Sequence, residues 1–271
     1  MERIKDAIDR IRHDGSAPTG DKAVDRSPPR QTVDLGNIQP ITYTQTRVVA
    51  LDNDHLERNR IVTNTKTSPY GVAFDILRTR VLHEMQERGY RTLVITSPTP
   101  ECGKTVLSLN LAFSMAHKSD QTVLLADFDL RKPQIASYLG LPPGPDLLDY
   151  LEGKADLPDV LVNPGQPRLV VLPNGRSVSN ASEIMTMPRT KSLVKDLRDH
   201  YRSRVILFDV PPLLSTDDTL AFLPQIDCAL LVVASGLTKT SEIEDSRRLL
   251  AKTNLLGVVL NKGETGMQEY Y

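Results

Sequence analysis

The stretch from Thr96 to Thr105 has the residue types of a phosphate-binding loop. It lies between an apolar segment and a helical one, and it ends in Gly103, Lys104 and Thr105. In such a loop the backbone N–H groups at the helix start point at phosphate oxygens, the lysine reaches the outer oxygens, and the hydroxyl binds Mg²⁺. Pro98 occupies the place of the usual first glycine. The tripeptide alone is therefore also compatible with an ordinary helix start that carries a lysine.

Two further apolar segments end in acids. Residues 123–126 are followed by Asp127 and Asp129, and residues 205–208 are followed by Asp209. Residues spaced by two point to the same side of a strand, and the carboxyl ends of parallel strands meet at one edge of a sheet. Carboxylates at that edge can hold Mg²⁺ directly or through its waters. Each aspartate alone could instead cap the next helix, but three acids together with the loop predict a site for a nucleotide and Mg²⁺.

The elements that must position these residues alternate regularly. From about Tyr70 onward, apolar runs of strand length are separated by amphipathic helical stretches. This pattern predicts an α/β protein whose mostly parallel sheet has helices on both faces. The predicted helices are 72–87, 104–118, 190–200 and 241–252, and the predicted strands are 92–96, 122–126, 168–172, 205–208, 227–234 and 256–260.

The segments on either side of this core have a different composition. Isoleucines at positions 4, 8 and 11 recur at helical spacing, which predicts an amphipathic helix over residues 1–14 that docks either on its own domain or on a partner protein. Residues 15–60 are interpreted as a flexible linker and a segment that is hard to assign, with a brief helix at 54–60. The P-loop domain is predicted over 61–262 and a flexible tail over 263–271.

Charge and composition exclude several function classes. The 271 residues carry a net charge of -1, so nothing favours nucleic-acid binding. The two cysteines, Cys102 and Cys228, match no metal-binding spacing and are typical of a reducing compartment. No apolar run approaches the roughly 20 residues of a membrane helix. We therefore expect a cytoplasmic protein without direct membrane insertion, which reaches a membrane only through a partner.

Taken together, these motifs resemble those of the bacterial tyrosine kinases, the BY-kinase family, within the MinD/ParA-like P-loop ATPases. The loop 96–105 is similar to the family's form of the Walker A motif, which commonly lacks the first glycine. The segment 127–133 has the pattern Asp-x-Asp-x-Arg-x-Pro of its Walker A′ motif, and Asp209-Val210-Pro211-Pro212 is similar to its Walker B strand end. The resemblance runs from about Phe74 to Asn261. The N-terminal segment resembles autokinases from exopolysaccharide loci that accompany exosortase systems.

The resemblance implies an ATP-dependent protein tyrosine autokinase with a P-loop NTPase fold. Such a kinase transfers the γ-phosphate of ATP in trans to tyrosines at its own C-terminus, here Tyr270 and Tyr271. It also implies work in exopolysaccharide polymerisation and export, with an inner-membrane chain-length-determinant protein (a polysaccharide co-polymerase) as partner. The chain would then be peripheral to the inner membrane.

Residue roles follow from the same resemblance. The implied catalytic residues are Lys104, Asp127, Asp129 and Asp209, and the implied Mg²⁺ ligands are Thr105, Asp127 and Asp209. The implied ATP-binding residues are Pro100, Glu101, Cys102, Gly103, Lys104, Thr105, Val106, Arg131 and Asn261, the last of them at the adenine.

Two departures from the family pattern keep other functions open. Relatives form a ring of subunits through a Glu-x-x-Arg-x-x-Arg helix, whereas the matching positions here are Val72, Asp75 and Arg78. The tyrosine tail is short. One alternative is a MinD/ParA-like ATPase switch, although Pro98 stands where those proteins usually carry a signature lysine. The other is a nucleotide-binding regulatory subunit with reduced catalytic activity.

Overall fold

Eight strands form one sheet in the part of the chain that the computed structural model describes, namely residues 46–62, 69–118, 121–200 and 204–263. Their order across the sheet is β1-β4-β5-β3-β6-β2-β7-β8, and each neighbouring pair is parallel except β4 and β5. The strands are β1 (Arg47–Val48), β2 (Thr92–Thr96), β3 (Thr122–Asp127), β4 (Val162–Asn163), β5 (Leu169–Leu172), β6 (Arg204–Asp209), β7 (Cys228–Ala234) and β8 (Asn254–Asn261).

Helices occupy most of the connections between these strands. In the described ranges they are α1 (Asn53–Arg58), α2 (Pro69–Glu87), α3 (Lys104–Lys118), α4 (Ile135–Leu139), α5 (Leu147–Leu151), α6 (Leu157–Val160), α7 (Ala181–Thr186), α8 (Pro188–His200), α9 (Asp218–Phe222) and α10 (Thr240–Leu249). Short 3₁₀ turns follow α9 and α10, at Leu223–Gln225 and Leu250–Lys252. The strand 92–96 and the helix 104–118 have the bounds that the sequence predicts, and the other long predicted elements agree within a few residues.

Apolar side chains divide between two cores, one on each face of the sheet. Along β3, Val123 and Leu125 lie in one core while Leu124 and Ala126 lie in the other, as the two-residue period of a strand requires. Helices α2 and α3 pack into the first core, and α7, α8 and α9 pack into the second. The predicted α/β class, with helices on both faces of a mostly parallel sheet, is confirmed.

The fold extends N-terminal to residue 61. β1 pairs in parallel with β4, and α1 follows it with Asp52 as its N-cap. Leu56 and Ile61 are buried in the first core, which explains why this otherwise polar stretch is ordered. The brief helix predicted at 54–60 corresponds to α1. The predicted helix over 1–14 and the tail with Tyr270 and Tyr271 lie outside the described residues.

Helix α2 carries the three positions that match the Glu-x-x-Arg-x-x-Arg motif of the family that the sequence resembles. Arg78 is turned inward: it donates to Asp75 Oδ1 at 2.6 Å and to Ser114 Oγ at 3.0 Å, and its side chain is only 13% exposed. Val72, at the first of these positions, is largely exposed. Among the described residues, none of the helices combines the length and apolar character needed to cross a bilayer.

Candidate active site

The loop between β2 and α3 turns sharply just before the helix. Glu101 has φ 64° and Gly103 has φ 83°, both in the left-handed region. That region suits glycine but is uncommon for glutamate, and such backbone strain concentrates at functional sites. The loop is held by bonds from the segment after β6: Leu213 N donates to Ser97 O at 2.8 Å and Leu214 N to Pro98 O at 3.0 Å.

The register of the sheet brings the acids together. β3 and β6 are neighbours, and Asp127 is directly paired with Asp209 at their carboxyl ends. Asp129 lies two residues beyond β3, and its backbone N–H donates to Asp127 Oδ1 at 3.2 Å. The three carboxylates are buried, with exposures of 0% for Asp127, 0% for Asp209 and 5% for Asp129. The sequence-based prediction of one acidic edge agrees with this arrangement.

Lys104 provides the positive charge among these acids. Its Nζ lies 2.7 Å from Asp129 Oδ2 and 3.8 Å from Asp209 Oδ2. Burial by itself lowers the pKa of Lys104, but the carboxylates of Asp209 and Asp129 outweigh burial and hold that pKa above its usual value. The lysine is therefore charged at neutral pH and stands at the start of α3, where phosphate oxygens would be bound.

Asp209 is also held by two hydroxyl groups. Thr105 Oγ1 donates to its Oδ2 at 2.6 Å, and Ser108 Oγ donates to its Oδ1 at 3.1 Å. Burial raises the pKa of Asp209, while Lys104 and Thr105 act in the opposite direction. Ser108 was not among the predicted site residues. Its position four residues after Lys104, on the same face of α3, is the signal that could have identified it.

Asp127 has the helix-capping role that the sequence left as one of its alternatives, and its predicted role in binding Mg²⁺ stays a prediction. Its Oδ2 accepts hydrogen bonds from Gln134 N at 3.0 Å and Ile135 N at 2.9 Å, so it caps the start of α4. Burial, and next the charge of Asp209, raise the pKa of Asp127 well above its usual value. Two adjacent buried carboxylates of this kind leave negative charge for which a cation would compensate.

These donors fit Mg²⁺ bound together with a nucleotide. Within the described ranges, no three His, Cys, Asp or Glu side chains form a ready metal cage. Mg²⁺ typically uses one or two carboxylates and takes its other ligands from phosphate oxygens and water, so a cage is not required. Thr105 and Asp209 are in contact, and Asp127 is paired with Asp209 in the sheet register.

The remaining predicted ATP-binding residues surround the loop in different ways. Pro100 and Glu101 are exposed and Val106 is half-buried, while Cys102 is buried with its Sγ 3.5 Å from Thr238 Oγ1. Their contacts with a nucleotide stay predictions.

Two predicted ATP-binding residues are already engaged by the protein. Asn261, at the end of β8, donates through Nδ2 to Cys102 O at 2.9 Å. Arg131 forms a two-point ion pair with Asp218. Its guanidinium is thereby committed to α9, and its predicted role in binding ATP stays a prediction.

Comparisons with known proteins assign the chain to a family. No protein-family model matches it. Tyrosine-protein kinase Etk of Escherichia coli K12 is 33% identical over 187 residues, which cover 68% of this chain and 25% of Etk. YwqD, a tyrosine-protein kinase of Bacillus subtilis, is 28% identical over 208 residues, 76% of this chain and 86% of YwqD. The crystal structure of the VpsO kinase domain is 30% identical with a TM-score of 0.64, and the match covers 72% of this chain and 96% of that domain. This chain belongs to the bacterial tyrosine-kinase family.

The family has a wider structural relationship. The cell-division ATPase MinD of Pyrococcus furiosus superposes with a TM-score of 0.54 at 25% identity, over 64% of this chain and 74% of MinD. This BY-kinase chain therefore shares the MinD-like P-loop fold. It spans about a quarter of the length of curated relatives such as Etk.

Proposed function

We propose that this protein is an ATP-dependent protein tyrosine autokinase that regulates exopolysaccharide polymerisation and export. The observation that carries the proposal is the position of Lys104, between Asp129 and Asp209 at the start of the phosphate-loop helix. A lysine beside buried acids at the carboxyl edge of a P-loop sheet supports phosphoryl transfer, which depends chiefly on positioning and on neutralising charge.

Each residue of the site has a proposed role in phosphoryl transfer. Lys104 and the N–H groups at the start of α3 bind the phosphates and neutralise charge that develops on them. Thr105, Asp127 and Asp209 would hold Mg²⁺, which when bound supplies a Lewis acid for the β- and γ-phosphate oxygens. Asp127 and Asp129 face the same edge, and the carboxylate nearest the phenol of an incoming tyrosine accepts its proton.

The proposed phosphoacceptors are Tyr270 and Tyr271 of a second subunit. They are the last two residues of the chain, and they follow β8 by fewer than a dozen residues. The proposal therefore includes a homo-oligomer. Because Arg78 is bound within its own subunit, we expect the contact between subunits to differ from the Glu-x-x-Arg-x-x-Arg ring.

The kinase proposal is tested by incubating the full chain with labelled ATP and Mg²⁺, followed by phosphoamino-acid analysis and mass spectrometry. Phosphotyrosine on the last two residues, absent in Asp129→Asn and present in the surface control Asp156→Asn, is the expected result. Hydrolysis of ATP without phosphotyrosine would instead indicate a MinD-like switch. Nucleotide binding without hydrolysis or transfer would indicate a regulatory subunit.

The proposed partner is an inner-membrane chain-length-determinant protein, with the kinase on the cytoplasmic side. The predicted amphipathic helix over residues 1–14 is the segment proposed to dock on it. Part of the kinase should fractionate with the inner membrane, and this part should disappear when the partner is deleted. Tight binding of the purified kinase to protein-free lipid vesicles would contradict attachment through a partner.

A further inference from the structure

Asp218 is a fully buried carboxylate outside the three acids of the phosphate site. Its side chain has 0% exposure, and it is the first residue of α9. A buried carboxylate needs a charged or hydrogen-bonding partner, and here that partner is Arg131. Arg131 Nε donates to Oδ2 at 2.6 Å and Nη2 donates to Oδ1 at 3.0 Å. The two parallel bonds fix both the distance and the plane of the guanidinium.

Arg131 belongs to the loop that carries Asp129. The loop joins β3 to α4 and is irregular between them. Its conformation depends on individual bonds: Phe128 N donates to Asp209 O at 2.8 Å, and Lys132 N donates to Asp129 Oδ1 at 3.0 Å. Two further bonds tie it to the loop after β5: Val178 N donates to Leu130 O at 2.9 Å, and Arg131 Nη1 donates to Ser179 O at 3.1 Å.

Helix α9 is a firm anchor for this loop. Thr219 Oγ1 donates to Pro211 O at 2.7 Å, which fixes α9 to the segment after β6. Phe222 stacks on Phe128 with ring centroids 4.7 Å apart, and its ring also meets Phe208 edge-on at 5.1 Å. The aromatic contacts hold the start of the loop, and the Asp218–Arg131 pair holds its middle. Asp129 lies between these two attachments.

We propose that Asp218 is a positioning residue of the phosphate site: through Arg131 it holds the loop that keeps Asp129 against Lys104. The expected loss of kcat rests on the proposed phosphoryl transfer. The expected loosening of the loop does not depend on that function. It gives Arg131 a role other than the ATP contact predicted from the sequence. Positioning errors of about 1 Å at a catalytic group can lower turnover by about 100-fold.

The kinetic test is a double-mutant cycle of Asp218→Asn and Arg131→Gln in the full chain. Each single variant should lower kcat for autophosphorylation by about 10- to 100-fold, with KM for ATP within about threefold of the wild type. The double variant should be no worse than either single one, because both remove the same connection. Arg176→Gln is the matched control: it breaks another arginine–aspartate cluster, at Asp146 and Asp149, and should leave kcat unchanged.

Amide hydrogen exchange provides a readout that does not need kinase activity. In Asp218→Asn, the amides of Lys132, Gln134 and Ile135 should exchange faster, since they bond to Asp129 and Asp127. The amides of β7 should keep their wild-type rates. If the wild type shows no phosphotransfer, the proposed function fails, whereas these exchange rates still test the positioning role.

Three results would overturn the proposal. The first is a wild-type kcat with wild-type exchange in Asp218→Asn. The second is a raised KM for ATP in Arg131→Gln while Asp218→Asn is silent, because Arg131 would then bind phosphate directly. The third is faster exchange throughout the fold with an unchanged kcat, which would make the pair a contributor to global stability alone.

Discussion

Replacing Lys104 by methionine should destabilise the metal-free protein as well as abolish its activity. Methionine keeps an unbranched side chain of similar length and removes the charge. The variant leaves Asp129 and Asp209 buried without the cation that lies 2.7 Å and 3.8 Å from them. A buried charge that loses its partner typically costs about 3–5 kcal/mol in the free energy of unfolding.

The distances make this magnitude reasonable. With an effective dielectric constant of about 20, Coulomb's law gives gross attractions of about 6 and about 4 kcal/mol for the two contacts. Desolvation of three buried ions cancels part of this sum. Protonation of a carboxylate in the variant reduces the destabilisation further, because the pKa of Asp127 is already well above its usual value. A net loss of about 3 kcal/mol is therefore expected.

Urea unfolding at neutral pH, with metal and nucleotide removed by a chelator, measures this loss. Lys191→Met on the exposed surface of α8 is the control and should change the unfolding free energy by less than about 0.5 kcal/mol. Mg²⁺ should stabilise Lys104→Met more than the wild type, since it replaces part of the missing charge. Phosphotransfer should fall by at least about 100-fold. A variant with wild-type stability and phosphotransfer would refute the reasoning.

Three further predictions concern the tail, the loop and pH. Changing Tyr270 and Tyr271 to phenylalanine should remove most phosphotyrosine by mass spectrometry while calorimetry finds ATP binding intact. Gly103→Ala should abolish ATP binding in the same calorimetric assay, because its Cβ would clash with Asn261 Nδ2 and its φ of 83° disfavours a side chain. In the metal-free protein, Asp127 has a folded-state pKa well above 3.8, so its stabilising effect is present at low pH and lost as the pH rises. The unfolding free energy should therefore fall as the pH rises above about 4 in denaturant titrations, and Asp127→Asn should flatten this fall; an unchanged slope would contradict the assignment.

The long elements and the acidic edge could be predicted from the sequence because each has a periodic or positional signal. Helix 104–118 and strand 92–96 have strong apolar patterns, and their bounds agree with the structure. The meeting of Asp127 and Asp209 follows from topology alone, since both end parallel strands that proved to be neighbours. No side-chain detail was needed for that prediction.

The features that could not be predicted from the sequence depend on short elements or on tertiary contacts. Helices α4 to α7 have six residues or fewer, too few for a helical period to stand out. The partner of Arg131 is Asp218, 87 positions later, and no local pattern indicates that this arginine is bound away from the phosphates. The left-handed backbone of Glu101 is likewise imposed by the folded loop.

The backbone of the loop 96–105 does not require the glycine that usually stands first in a phosphate-binding loop. The left-handed turns lie at Glu101 and Gly103, so the position of Pro98 requires no positive φ. Proline has no N–H to donate, but its carbonyl accepts from Leu214 N at 3.0 Å. Asn261 closes the other end of the loop through Cys102 O. Later parts of the chain therefore hold the loop at both ends. Its shape depends on these tertiary contacts, whereas the usual motif relies on a glycine at the position of Pro98.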